Sequence, residues 1–346
     1  KKCKTESQTH FKSFALETYA DNAGLQAATP LLVRAMDDEF KSYRMGAINY
    51  TIEKSGPSGP WVSELAKTKN PEVQAEIIFL LASLEDKSTI TSLRKYLENP
   101  DAGVRSEAVS AIARLVGSAT VEDMVLHILK YPEEPDLTAA KSALLSVAGA
   151  KEIKSITGRI SGADYPAKVV FMEILAEKGS PEFFTVLMDN ARDENQDVRY
   201  AAIKGLKSVV TSQNLGTLLD FLDEDHDSLS TAEIQAAIIQ SVQLSDDKTK
   251  QLDIVLSAME EAGDIISFIP VLAGVGGEKS LITVKNIYAN RGNKTKEQAL
   301  QALISWSDDA AIPVLLDICK NTGSEDALNG YIRQVDKSSH TPDQKL

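Results

Sequence analysis

The side chains that could do chemistry in this sequence are few and scattered. Its imidazole and thiol groups are His10, His127, His226 and His340, with Cys3 and Cys319. A zinc or iron site needs three or four such groups converging, and no two of these sit at ligand spacing. The densest acidic stretch, LDFLDEDHDS, holds Asp220, Asp223, Glu224, Asp225 and Asp227. Asp at 223, 225 and 227 alternates as at the start of a calcium loop. Ser228, however, stands where that loop needs Gly, and Ile234 where it needs a bidentate Glu. The stretch reads as a turn between helices. Gly274-Val275-Gly276-Gly277 follows a helix rather than a strand, which makes it a connector and not a phosphate cradle. Gly-x-Ser-x-Gly and Walker-type loops are missing as well. The sequons at Asn49 and Asn293 matter only in a eukaryotic secretory pathway. No catalytic residue, metal or cofactor is therefore expected.

The elements that would position any site are plainer. Pro181 to Val210 reads as two amphipathic helices with a polar turn between them. Phe183, Phe184, Val186 and Leu187 mark the first, and Val198, Ala202, Gly205 and Leu206 the second. Asn195 can cap the second helix through its side-chain oxygen. Neither helix is long enough to persist alone in water, so the pair must bury its stripes against copies of itself. Caps followed by apolar stripes recur at Asn70, Asp101, Asp136, Asp164, Asn195, Asp227, Asp264 and Asn293, spaced by about 32 residues on average. The stripes include Val73, Ile77 and Leu80 after Asn70, and Ala139, Ala143 and Val147 after Asp136. Pro270 is expected to kink the helix after Asp264.

The expected architecture is all-α, a right-handed α-solenoid of about ten helix pairs forming a single array over 1–346. Residues 1–60 are read as irregular N-terminal helices, with Pro30 opening one of them, 61–335 as regular repeats, and 336–346 as a polar tail. Because SSHTPDQKL supplies no apolar capping helix, the array is expected to continue beyond it. Cys319, in IPVLLDIC, reads as a small buried hydrophobe and Cys3 as an exposed thiol, too far apart along such an array for a disulfide.

The segments NPDAGVRSEAVSAIARL (99–115) and DENQDVRYAAIKGL (193–206) resemble the HEAT-repeat family in its short bacterial form. The marks are the capping Asp or Asn, then Val104-Arg105 and Val198-Arg199, then small residues along the second helix. The resemblance implies that Arg105 and Arg199 bond to Asp side chains along the stack and serve structure. HEAT-like hydroxylases hold two irons through repeated His-Glu pairs, and no histidine here precedes Glu. The Trp, Leu-Gly and Tyr pattern of tetratricopeptide repeats is also missing.

Function then rests on a surface. In HEAT-like arrays the second helices line the concave side, which binds partners. Tyr200, Lys204 and Lys207 are its candidates beside the Val-Arg motif, with Phe79 as another; the competing reading packs Tyr200 and Phe79 against neighbouring repeats and leaves the lysines solvated. The net charge of −13 repels phosphate backbones, which disfavours nucleic acid. No apolar run reaches the roughly 20 residues of a membrane span. A noncatalytic protein-binding scaffold is the leading expectation. The alternative is an accessory segment of a larger bacterial envelope protein with a separate carbohydrate-active domain, and a periplasmic or envelope location is placed ahead of the cytoplasm. An enzyme resembling phycobilin lyases or HEAT-like DNA glycosylases ranks last, for want of supporting residues in the first case and because of the acidic balance in the second.

Overall fold

Helices of 4 to 16 residues alternate with short turns, because each apolar stripe is too brief to stand alone and must be covered by the next. The structure, a computed structural model, describes Thr5 and residues 9–337. Cys3, His340 and residues 338–346 of the tail lie outside the described residues. Among the described residues a leading helix, Thr9–Ala23, is followed by ten helix pairs. The chain divides into two compact units, the first ending at Ile174 and the second beginning at Leu175, within the helix Tyr165–Lys178.

In the first unit the first helices are Leu25–Arg34, Gly59–Lys67, Ile90–Leu93, Val121–Lys130 and the short Ala150–Lys154. Their second helices are Lys41–Glu53, Pro71–Ser83, Ala102–Val116, Asp136–Val147 and Tyr165–Lys178. Lys41–Glu53 packs on Pro71–Ser83, that helix on Ala102–Val116, and that on Asp136–Val147. In the second unit the pairs are Phe184–Asn190 with Gln196–Val209, Leu215–Leu222 with Ser228–Gln243, Lys248–Glu261 with Ile269–Val275, Glu278–Asn290 with Asn293–Ile304, and Ile312–Thr322 with Glu325–Lys337. Here too each second helix packs on the next. Ile77, Leu80, Val104, Ile112, Val198 and Leu206 are wholly buried, as the stripes require. Each such side chain contributes about 1.5–3 kcal/mol by leaving water.

Several local readings are corrected. Pro30 lies inside Leu25–Arg34 rather than opening it; Gly24 at φ 83° starts that helix one turn earlier, and its carbonyl accepts the Ala28 N–H. Asp136 is not a cap. It is the first residue of its own helix behind Pro135, and its fully buried carboxylate is drawn into the preceding repeat by Arg105 and His127. The buried stripe there runs through Leu137, Ala140, Ala143 and Leu144, leaving Ala139 and Val147 partly exposed. Asn293 is likewise the first helical residue. Gly292 holds the cap position, accepting the Lys296 N–H at 2.9 Å, and no side chain caps the helix. Asp264 caps a 3-10 turn, Ile265–Phe268, and Pro270 falls in the first turn of the following helix, where its missing N–H costs nothing, so it introduces no kink. Cys319 is half-buried, since Leu315 and Ile318 take the core-facing positions of its helix.

Candidate partner-binding face

At four of the second helices a cap side chain sets where the helix starts, and so which residues reach the outer surface. Asn70 accepts the Glu72 N–H at 3.0 Å, Asp101 that of Val104 at 3.0 Å, and Asn195 those of Asp197 and Val198 at 3.0 and 3.1 Å. Asp227 accepts from Leu229 and Ser230. Hydrogen bonds from Ser230 and Leu229 hold its carboxyl below the usual range, with the nearby Arg199 charge assisting. The Asp164 carbonyl accepts the Lys168 N–H at 2.9 Å.

Four residues past the cap position, an arginine turns back over the turn between the helices. Arg105 Nη1 donates to the carbonyls of Asn99 and Pro100 at 2.9 and 3.1 Å, and Arg199 Nη1 to those of Asp193 and Glu194 at 2.8 and 3.4 Å. Arg44, four residues after Phe40, does the same to Asp38 and Glu39. Two of these guanidiniums also reach forward into the next repeat. Arg44 forms a two-pronged pair with Glu76, and Arg105 with Asp136. Each arginine's pKa is raised above its ordinary value, chiefly by its hydrogen bonds to that carboxylate. Their role is architectural.

Around Asp136 the first unit holds a buried polar cluster. His127 Nε2 donates to Asp136 Oδ1 at 2.7 Å, and the Tyr131 ring lies 4.2 Å from the Arg105 guanidinium carbon and 4.9 Å from the imidazole. Burial pushes the His127 pKa down, so the neutral ring is the donor. The cluster is closed off from solvent and offers no substrate access.

The acidic stretch of the second unit borders a cleft of about 650 Å³ with Gln235, Ser267 and Gln298. Its polar groups are mostly committed to the turn. Asp223 accepts the Gly263 N–H at 3.3 Å, Glu224 pairs with Arg192, Asp227 and Asp264 cap, and His226 Nε2 donates to the Phe221 carbonyl at 2.6 Å. Among the described residues no three His, Cys, Asp or Glu side chains come together as a metal site, and no helix is long and apolar enough to cross a membrane.

The candidate contact residues are placed as follows. In the first unit Phe79 leaves 40% of its surface exposed on Pro71–Ser83. In the second, Lys204 and Lys207 are exposed and Tyr200 is half-buried on Gln196–Val209. One residue escaped the sequence reading. Glu107, six residues past the Asp101 cap, is half-buried, and among the described residues no hydrogen bond or ion pair engages it; burial raises its pKa. Its signal lies in register rather than in motif, since Glu76 holds the same place after Asn70.

Residues 59–145 match the family model described as HEAT repeats. Among solved structures the chain is similar to Kap121p in the crystal structure of Kap121p bound to Nup53p, with a TM-score of 0.53 and 13% identity over 93% of this chain and 47% of that one. The chain thus spans about half the length of that neighbour, and the likeness shows the all-α solenoid fold alone. A second similarity, to human deoxyhypusine hydroxylase in complex with glycerol, has a TM-score of 0.28 and 15% identity over 85% of this chain and 98% of that one, too low to carry an argument. No curated protein matches the chain.

Proposed function

We propose, on the premise that residues 59–145 match HEAT repeats, that the chain is a noncatalytic scaffold that binds a protein partner through the face lined by its second helices. One observation supports the reading: from Lys41–Glu53 to Asp136–Val147 in the first unit, and through all five second helices of the second, each second helix packs on the next, so their outer residues form a continuous surface within each run, while the polar clusters are spent on caps, turns and inter-repeat pairs. Long faces of this kind recognise extended partners by summing many small contacts. Tyr200, Lys204, Lys207 and Phe79 are the contact residues of the proposal. An amphipathic Tyr and an exposed Phe supply apolar area, and the lysines supply charge. The net charge of −13 makes nucleic acid the poorer candidate.

Affinity capture with the intact chain, followed by alanine substitution, tests this. Loss of the captured partner on substitution of Tyr200 or Phe79, with retention after substitutions on the first helices, is the expected result. Loss only from changes on first helices or turns would sink it.

A further inference from the structure

We propose that the second-helix face of the first unit captures a basic side chain, arginine or lysine, of its partner polypeptide at Glu107, with Phe79 as the apolar support beside it. This rests on the scaffold reading and names the chemistry of one contact within it.

The inter-repeat pairs of the first unit form an interrupted ladder. At its first step the fourth residue past one cap position faces the sixth residue past the next, whereas Arg105 later meets Asp136 directly after the cap position Pro135. Arg44, four past Phe40, meets Glu76, six past Asn70, with Nε–Oε2 at 2.7 Å and Nη2–Oε1 at 2.8 Å. One repeat later the corresponding residues are Gln74, four past Asn70, and Glu107, six past Asp101. Gln74 keeps the arginine's backward contact, donating from Nε2 to the Thr68 carbonyl at 2.9 Å, and its Oε1 accepts from Asn99 at 3.2 Å. It carries no charge to send forward. Glu107 thus holds the register place of Glu76, half-buried, with no cation paired to it among the described residues. Ser106 Oγ, next to it in sequence, is also enclosed without a hydrogen-bond partner.

A carboxylate half out of water with no counter-charge is held at a cost, and an incoming guanidinium or ammonium removes that cost. An apolar ligand would dry the carboxylate further, and an anion would be repelled. Phe79 stands on the adjacent second helix, three residues and thus about one turn beyond Glu76, the residue in register with Glu107. Its exposed ring suits the aliphatic stem of lysine or the flat guanidinium of arginine. Glu76 offers no such site, because Arg44 already covers it and leaves it 6% exposed.

The probe is the capped tripeptide acetyl-Ala-Arg-Ala-amide, titrated into the full chain and read by amide chemical shifts, with norleucine in place of Arg as the control. Saturable shifts are expected in 74–83 and 106–110 with the arginine peptide and not with the norleucine one. Glu107→Gln, a neutral isostere that leaves the fold intact, should weaken binding roughly tenfold. Gln74→Arg supplies the missing cation from within the chain, and should abolish the shifts while raising the melting temperature. No saturable shifts in the unaltered chain, equal response to the norleucine peptide, or unchanged affinity in Glu107→Gln each overturns the proposal. A protein partner released by Tyr200→Ala yet held equally by Glu107→Gln would also overturn it while leaving the scaffold reading in place.

Discussion

Arg105 and Asp136, thirty-one positions apart, are joined by two parallel hydrogen bonds, Nε to Oδ1 at 2.9 Å and Nη2 to Oδ2 at 2.6 Å. The pair ties one second helix to the next in an environment where Asp136 is fully buried and Arg105 9% exposed. Removing one partner leaves the other charge without compensation. Asp136→Ala should lower stability by about 3–5 kcal/mol. Lys130→Ala, which breaks the exposed Lys130–Glu98 pair, should cost far less, because solvent screens that pair. Urea unfolding of the two variants checks this, and equal losses would contradict the burial argument.

His127 makes the same cluster sensitive to pH. Burial is the larger influence on the imidazole and outweighs the hydrogen bond to Asp136, so the folded-state pKa lies below the ordinary 6.5. The unfolded chain then takes up a proton before the folded one does. The stability that depends on the neutral ring is fully present above about pH 6.5 and is lost as the pH falls through the lower folded-state value. Arg105, Lys130, Asp136 and Tyr131 are the charged and titratable groups around the ring. The melting temperature should be steady between about pH 7 and 8 and decline below 6.5. His127→Gln should flatten that part of the decline; an unchanged slope would assign it to other groups.

The caps give a paired comparison. Asn195 accepts two backbone N–H groups, whereas Asn293 accepts none and sits inside its helix. Asn195→Ala should therefore cost about 1 kcal/mol and Asn293→Ala close to nothing. Thermal or urea unfolding resolves the two, and a larger loss at Asn293 would reverse the assignment.

These two asparagines also mark how far local sequence carries. A cap is legible when its side chain answers to its own helix, as at Asn70, Asp101 and Asn195. Asp136 has the same chemistry and nearly the same spacing, but its carboxylate answers to Arg105 and His127 in the repeat before, a competition that no local window contains. Asn293 follows Gly292, which fills the cap position through its backbone and shifts the register by one. The arginines of the Val-Arg pairs were legible as structural, whereas the neutral step at Gln74 and the unpaired Glu107 emerged only once the helices were set in register.

Gly274 shows why the stacked second helices tolerate little change on their packed sides. A Cβ built there would lie 2.2 Å from Ile239 Cδ1 and 2.9 Å from its Cγ1. Gly330 faces Ile304 in the same way, with contacts of 2.5 and 3.2 Å. The glycine thus admits the isoleucine of the preceding second helix, and an added methyl must displace it. In a helix, alanine for glycine ordinarily gains about 1 kcal/mol from propensity. Overpacking costs about 1–3 kcal/mol and opposes that gain. Gly274→Ala should therefore be neutral to destabilising, and Gly274→Ala combined with Ile239→Val should be more stable than Gly274→Ala alone, because the shorter side chain lacks the clashing Cδ1. A double-mutant cycle by urea unfolding checks this. Strictly additive effects of the two substitutions would show that the methyl and Ile239 do not compete for the same space.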